Sequence, residues 1–248
     1  MALLGRLLLS KLARRYPVLT AYLVFTVLND AVLIYLQRSQ TRLFGLKGYN
    51  LGWVVTRPIL WAFLFLVVLE LYSRMLEEFS GIRRLGRLVL YSSLGGVTLA
   101  CAVVLAFDGQ PGVDPYPVLS YMALQERSVF LILSALMALL LLFVGHYRLE
   151  IRGNVLVLVA CFGVYFLASA VLVALRWHFG DAFKAPRNTW EPVFYSAAVS
   201  AAALLFSRAG ETRKLPAGAL VGWPQPPEPA LAAELRNFNQ VLARVLQS

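Results

Sequence analysis

The chain has 248 residues, of which 59% are hydrophobic and 15% are charged, and its mean hydropathy is +0.68. Soluble domains are nearer half apolar and a quarter charged, so this composition predicts a membrane protein. The net charge of +10 arises from Lys and Arg in short segments between apolar runs. That distribution is typical of a topology signal, and it argues against a nucleic-acid-binding surface.

The cysteines and histidines predict no metal site. Cys101 and Cys161 each lie deep within an apolar run, with no CxxC pair and no His at metal-ligand spacing. We therefore interpret both as small buried side chains. His146 and His178 fall on opposite predicted faces of the membrane, so they cannot share a metal ion.

The N-terminal segment, residues 1–15, has leucines at helical spacing among four basic side chains. This pattern predicts a short amphipathic helix on the anionic cytoplasmic face of a membrane, with its leucines in the lipid headgroups. Pro17 then suits the first position of a helix, where its missing N–H costs nothing. The leucines are Leu3, Leu4, Leu7, Leu8 and Leu12.

The first apolar span, residues 17–37, is long enough to cross a bilayer but contains Asn29 and Asp30. An ionisable group inside a membrane is costly, so Asp30 indicates a functional site or requires a partner on another helix. It is the sharpest anomaly in the sequence.

The second span, residues 51–73, contains Arg57 near its start and has two alternative beginnings. Pro58 suits the first helical position, with Thr56 as the N-cap. Alternatively, the helix begins near Tyr49 and is kinked at Pro58. The sequence leaves both open. Near the end of this span, Glu70 precedes Arg74 by one turn, which predicts a local ion pair.

Four further spans are predicted, so we expect an all-α membrane bundle of about six transmembrane helices. Gly95, Gly96 and Ala100 in the third span, and an Ala/Ser-rich face in the sixth, would allow helices to pack closely in lipid. The four spans are 88–107, 119–146, 155–175 and 191–207.

The tail divides into a Pro-rich linker, residues 209–229, and an amphipathic helix, residues 230–248. The apolar positions of this helix step by four and three, a seam too short to form a stable coiled coil alone. It would dock on the chain's own cytoplasmic loops, on the membrane surface or on a partner protein, and these alternatives remain open. The seam residues are Leu231, Leu235, Phe238, Leu242 and Val245.

The orientation follows from Lys and Arg, which are more frequent in the segments on the side of both termini than in those on the opposite side. Positively charged segments remain in the cytoplasm. We therefore expect a multi-pass protein of a membrane, interpreted as a bacterial inner membrane, with both termini cytoplasmic.

Asp30 and Arg57 both lie roughly 10–12 Å below the outer edge, at about 1.5 Å per helical residue. Their spans are consecutive and antiparallel, which predicts an Asp30–Arg57 ion pair. Such a pair would either fix helix register or form part of an outward-facing polar pocket; the remaining alternative is no contact. The pocket would include Glu126, Arg127, Arg176, His178 and Glu191.

The sequence has no nucleotide-binding, metalloprotease or serine-hydrolase motif, and it has no room for an appended catalytic domain. We therefore expect a non-enzymatic subunit or scaffold of a larger membrane assembly, without cofactor. Its partners would be the bilayer and other membrane subunits, bound through the small-residue faces and the C-terminal helix. The alternative is a small transporter or membrane sensor that uses the pocket around Asp30 and Arg57. An intramembrane enzyme is the least favoured reading.

Overall fold

A computed structural model of the chain describes residues 2–10, 12–39, 42–43, 46–77, 117–146, 150–212, 214–216 and 228–245, with isolated positions between 82 and 99. These residues are almost entirely helical. Apart from those isolated positions, the predicted third span, residues 88–107, lies outside the described residues, and so does Ala100.

The described elements alternate long helices with very short strands. The helices are α1 (Ala2–Leu9), α2 (Pro17–Ser39), α3 (Gly48–Met75), α4 (Pro117–His146), α5 (Gly153–Phe179), α6 (Lys184–Leu205), α7 (Arg208–Thr212) and α8 (Glu228–Val245). The strands are β1 (Arg42–Leu43), β2 (Leu46–Lys47), β3 (Glu150–Arg152) and β4 (Lys214–Pro216). Single 3-10 turns occupy Leu12–Arg14 and Gly180–Phe183.

Three described helices are long and apolar enough to cross a membrane: Pro17–Ser39, Gly48–Met75 and Gly153–Arg176. The protein itself buries only 22%, 33% and 50% of their most apolar windows, respectively. On α2, for example, Val24, Leu28 and Val32 recur every fourth residue and are exposed. Apolar surface of this extent requires a non-aqueous environment, which indicates a membrane location.

Helices α2 and α3 form an antiparallel hairpin whose connection is the β1–β2 ribbon. A Cβ built on Gly52 would lie 3.0 Å from Leu36 Cδ1 and 3.1 Å from Leu33 Cδ2, so glycine permits this close approach. Helix α3 begins at Gly48 and contains Pro58, which selects the start near Tyr49 among the two sequence alternatives.

Helices α4 and α5 cover the residues predicted as the fourth and fifth spans, and helix α6, which covers the predicted sixth, begins at Lys184 rather than at residue 191. Helix α5 packs between α4 and α6 and also contacts α3. Gly180 separates α5 from α6 with φ +62°, a conformation that favours glycine.

Helix α1 is present, but its leucines lie differently from the prediction. Leu3, Leu7 and Leu12 are buried in the hydrophobic core, where α1 packs against α6 and α2. Among the described leucines of α1, Leu8 and Leu9 are exposed. The prediction that the whole leucine face dips into lipid is therefore corrected, because a complementary protein surface covers most of it.

Glu70 makes the predicted contact with Arg74, at 3.9 Å, but it also has a partner that the sequence did not reveal. Its Oε2 accepts a hydrogen bond from the backbone N–H of Leu19, at 3.0 Å. The first N–H groups of a helix have no partner within that helix, and a carboxylate there is favourable. Glu70 on α3 thus caps α2 and joins the two helices at one end of the bundle.

At the same end, the buried Glu211 side chain collects four hydrogen bonds from distant parts of the chain. Its Oε1 accepts from Arg15 Nη1 at 2.7 Å and Arg152 Nη1 at 3.0 Å. Its Oε2 accepts from the Tyr16 hydroxyl at 2.9 Å and Asn154 Nδ2 at 3.4 Å. The entry to α2, the start of α5 and helix α7 are therefore held together by one carboxylate.

Asn154, one of the hydrogen-bond partners of Glu211, also holds the segment that follows α6. Asn154 donates to the Ser207 carbonyl at 2.7 Å and accepts from the Ser207 N–H at 3.0 Å. A Cβ on Gly210 would overlap Asn154 Oδ1, so this close approach requires glycine. Strand β4 then pairs antiparallel with β3. The predicted linker, residues 209–229, thus begins with ordered structure.

Burial raises the pKa of Glu211, but hydrogen bonds from Arg15, Tyr16, Arg152 and Asn154 outweigh it and hold the pKa below the ordinary value of 4.5. Because the folded pKa is the lower one, the unfolded state takes up a proton first as the pH falls. The stabilisation from Glu211 is therefore fully present above pH 4.5 and is lost below it.

Glu211→Gln is expected to lower the free energy of unfolding at pH 7 by roughly 2–3 kcal/mol, or the melting temperature by about 5–10 °C. The reason is that two guanidinium groups lose their anionic acceptor. Below pH 4.5 the unaltered protein should lose stability and converge on the variant. Thermal unfolding in detergent across this pH range measures both effects.

Glu77→Gln is the matched control, because Glu77 Oε2 also contacts Arg152, at 3.1 Å, but its side chain is 53% exposed. Its effect should stay below about 1 kcal/mol. Equal losses for the two variants would refute a special role for the buried carboxylate.

Candidate functional site

A cavity of about 870 Å³ lies among helices α2–α6 and receives side chains from all five. Gln37 near the end of α2 and Tyr49 near the start of α3 line one extreme, beside the β1–β2 ribbon. Tyr22 and Leu64 line the other. Fifteen residues separate Tyr22 from Gln37, so the cavity extends about 20 Å along α2, away from the Glu211 end.

The sequence predicted seven residues for the ion pair and the outer polar pocket, and five of them line this cavity. Two do not line it: the side chain of Arg127 is outside the described set, and His178 is exposed with its ring 4.9 Å from that of Phe179. The five that line the cavity are Asp30, Arg57, Glu126, Arg176 and Glu191.

Arg57 contacts Glu126 rather than Asp30. Arg57 Nη1 lies 3.6 Å from Glu126 Oε1, and the Glu126 side chain is only 2% exposed. Within the part of the chain that the structure describes, no ion pair within 4.0 Å joins Arg57 to Asp30. The predicted pair is corrected accordingly. The physical reason is that a fully buried carboxylate requires a counter-ion more than an exposed one does.

The Arg57 guanidinium has a second contact, with the face of Trp53, 5.2 Å from the ring centroid. A cation over an indole face is attracted by the ring quadrupole. Arg57 is therefore fixed between a carboxylate and an aromatic ring, and it forms one charged wall of the cavity.

Asp30 lies on the cavity, and its side chain is exposed. Among the described residues it makes no ion pair within 4.0 Å. The preceding residue, Asn29, also lines the cavity but is 7% exposed, and its Oδ1 has no hydrogen-bond partner in the described structure. Asp30 and Asn29 therefore provide a charged and a neutral hydrogen-bond acceptor at adjacent positions of α2.

Aromatic residues complete the walls, and sequence reasoning missed them. Trp61 is buried, and its Nε1–H has no acceptor among the described residues. The rings of Tyr165 and Tyr195, from α5 and α6, meet edge to face at 5.4 Å. In an apolar span such residues resemble ordinary core. The available signal was the phenolic hydroxyl, which requires a polar surrounding when buried.

The cavity combines acidic and basic groups, unsatisfied polar atoms and aromatic rings within one apolar bundle. Such a combination suits the binding of a small polar molecule, since a few placed polar groups fix orientation while apolar walls supply contact area. The described residues contain no group of three His, Cys, Asp or Glu side chains that could hold a metal ion.

The C-terminal seam, predicted as a docking surface, is divided by the fold. Leu235 is buried and Leu242 is partly buried against the core. Between them, Asn239 Oδ1 accepts a hydrogen bond from the Ile82 N–H, at 3.3 Å. This half of α8 docks on its own chain.

The other half of the seam is exposed to a large extent. Phe238 is 47% exposed and Val245 is 62% exposed, and Val241 between them is 51% exposed. The first predicted seam position, Leu231, has a side chain outside the described residues.

A double-mutant cycle tests the Arg57–Glu126 contact. Arg57→Gln alone should cost about 3 kcal/mol of unfolding free energy, because it leaves a buried carboxylate without its counter-ion. Glu126→Gln in the same chain should recover part of this loss, giving a coupling of about 1–3 kcal/mol. Denaturant titration in mixed micelles measures the four proteins.

The matched cycle replaces Glu126→Gln by Asp30→Asn. Its coupling to Arg57→Gln should be clearly smaller, since Asp30 makes no direct contact with the guanidinium. A larger coupling to Asp30 than to Glu126 would restore the pair predicted from the sequence.

The chain matches no protein-family model, no curated protein and no solved structure.

Proposed function

We propose that this chain is a multi-pass membrane protein that binds a small polar solute in the cavity, as a transporter or a sensor. The observation that carries the proposal is the cavity itself: about 870 Å³ of space, inside an apolar bundle, on which charged residues from five helices converge. Known small-molecule sites have volumes of about 300–1,000 Å³.

Charged residues support the proposal because they are expensive in a membrane. Glu126 is almost fully buried, and Asp30, Arg57 and Glu191 share its cavity. Ionisable residues in membrane helices face a water-filled cavity or a partner and mark the paths of solutes. A bundle built only for assembly would gain more stability from apolar side chains at these positions.

The orientation is part of the proposal. About six spans with cytoplasmic termini would put the Glu211 end of the bundle, which includes Arg15 and Arg152, at the cytoplasmic face. The cavity extends toward the opposite end, so it would be entered from outside. This arrangement matches the outward-facing pocket expected around Asp30 and Arg57.

Two intrahelical prolines favour a protein that moves. Pro58 lies in α3 directly after Arg57, and Pro192 lies in α6 directly after Glu191. Each proline removes one backbone hydrogen bond and weakens its helix locally. Both weak points thus adjoin charged cavity residues, where a bend of the helix would open or close the space around a solute.

Cysteine accessibility tests the proposal. In a chain carrying Cys101→Ser and Cys161→Ser, Thr26→Cys should react with a membrane-impermeant methanethiosulfonate added outside right-side-out vesicles, because Thr26 lines the cavity. Val24→Cys is the matched control: it is two residues away on the same helix, 41% exposed and outside the cavity lining. It should remain unmodified, because lipid covers it.

If Thr26→Cys reacts only when the reagent is inside the vesicles, the cavity opens to the cytoplasm and the proposed orientation is wrong. No modification from either side would mean a dry bundle and would overturn the proposed function.

A second candidate function, a subunit of a larger membrane assembly, is favoured by the exposed stripe on α8, namely Phe238, Val241 and Val245. If this surface binds another subunit, Phe238→Ser with Val241→Ser should remove a stoichiometric partner that co-purifies in mild detergent. Gln240→Ser, an exposed polar position on the same helix, is the control. Purification of the unaltered protein as a monodisperse single chain would count against this candidate.

A further inference from the structure

We propose that the solute is an organic cation with a primary or secondary ammonium group, held by the Asp30 carboxylate and Asn29 Oδ1. This inference rests on the proposed function of the cavity and specifies its chemistry. Three independent features of the cavity lead to it: its charge balance, its unsatisfied acceptor and its aromatic walls.

The charge balance among the described lining residues is negative. They include one more carboxylate than guanidinium groups, with Asp30, Glu126 and Glu191 against Arg57 and Arg176. Arg57 is engaged by Glu126 at 3.6 Å. Asp30 lies on the same cavity without an ion pair within 4.0 Å among the described residues. In a surrounding of low polarity, such a carboxylate attracts a cation much more strongly than it would in water.

The unsatisfied acceptor narrows the class of cation. Asn29 is 7% exposed, and its Oδ1 accepts no hydrogen bond in the described structure. A buried acceptor without a donor carries a substantial desolvation penalty, which a bound N–H group would remove. A primary or secondary ammonium has at least two N–H donors, enough for both Asp30 and Asn29. A quaternary ammonium has none and would leave Asn29 unsatisfied.

The aromatic walls suit the remainder of such a ligand. Arg57 already lies over Trp53 at 5.2 Å, so this cavity accommodates a cation against a ring face. Tyr22 and Trp61 line the deeper part of the cavity. Because Trp61 Nε1–H lacks an acceptor among the described residues, the ligand would carry a hydroxyl, ether or carbonyl oxygen in addition to its ammonium group.

The test uses thiol reagents that differ only in their charged group, so it does not require the natural solute. In lipid nanodiscs, the Thr26→Cys chain is treated with 2-aminoethyl, 2-(trimethylammonio)ethyl and 2-sulfonatoethyl methanethiosulfonate. Rates are divided by those for Ala182→Cys, an exposed position outside the cavity. At Thr26→Cys the aminoethyl reagent should exceed the sulfonate by about tenfold, because Asp30 concentrates cations there.

Asp30→Asn should reduce this preference to near unity, whereas Asp30→Glu should retain most of it. Asn29→Leu, which keeps the size but removes the acceptor, should lower the ratio of the aminoethyl to the trimethylammonio rate while preserving the preference for cations. Melting temperatures of all variants confirm that they fold.

The outcomes separate the two proposals. Thr26→Cys that reacts with no reagent overturns the proposed function itself. Thr26→Cys that reacts without charge preference, or with a preference that survives Asp30→Asn, leaves a solute cavity but overturns the cation. A preference abolished by Asp30→Asn with no effect of Asn29→Leu overturns the role of the N–H donors and would assign the site to cations in general.

Discussion

The Glu211 carboxylate is the constraint on which one end of the bundle depends. It is almost fully buried and accepts hydrogen bonds from Arg15, Tyr16, Arg152 and Asn154, which lie between 57 and 196 positions before it in the chain. A buried carboxylate without such partners would destabilise the fold, so each partner segment must be in place together. These hydrogen bonds join the N-terminal segment, the start of α5 and the chain after α6 at one end of the bundle.

The other end of the bundle has the opposite character. There the charges are only partly compensated. Arg57 Nη1 lies 3.6 Å from Glu126 Oε1, whereas Asp30 and Asn29 line the cavity, and Asn29 Oδ1 has no hydrogen-bond partner among the described residues. Asn29 Oδ1 and Trp61 Nε1, two of the buried polar atoms that have no hydrogen-bond partner among the described residues, belong to residues that line this cavity. Natural proteins accept such a local energetic cost at functional sites, which supports the proposal that the function of this chain lies in the cavity.

Much of the fold was predictable because the free energy of transferring a segment into a membrane is close to a sum over its individual residues. The first span, predicted at 17–37, is α2, and the predicted fifth span is α5. Most of the charged residues that line the cavity were also predictable. A charged side chain near the end of an apolar span avoids lipid by facing either the interior of the bundle or the membrane surface. The partners of these residues were not predictable. Whether Arg57 faces Asp30 or Glu126 depends on the rotation of α3 and on its contact with α4, and neither is encoded locally.

The sequence by itself determined that the chain is helical, that its long apolar helices belong in a membrane, and that Asp30 and Arg57 are anomalous there. Those conclusions follow from hydropathy, which is summed over residues, and from the spacing of apolar residues along the sequence. Only the tertiary structure decided that Glu126 pairs with Arg57, that Glu70 caps α2, and that most of the α1 leucine face is covered by protein. These contacts join residues from separate helices, and their energies depend on distance and burial, which exist only once the helices are packed.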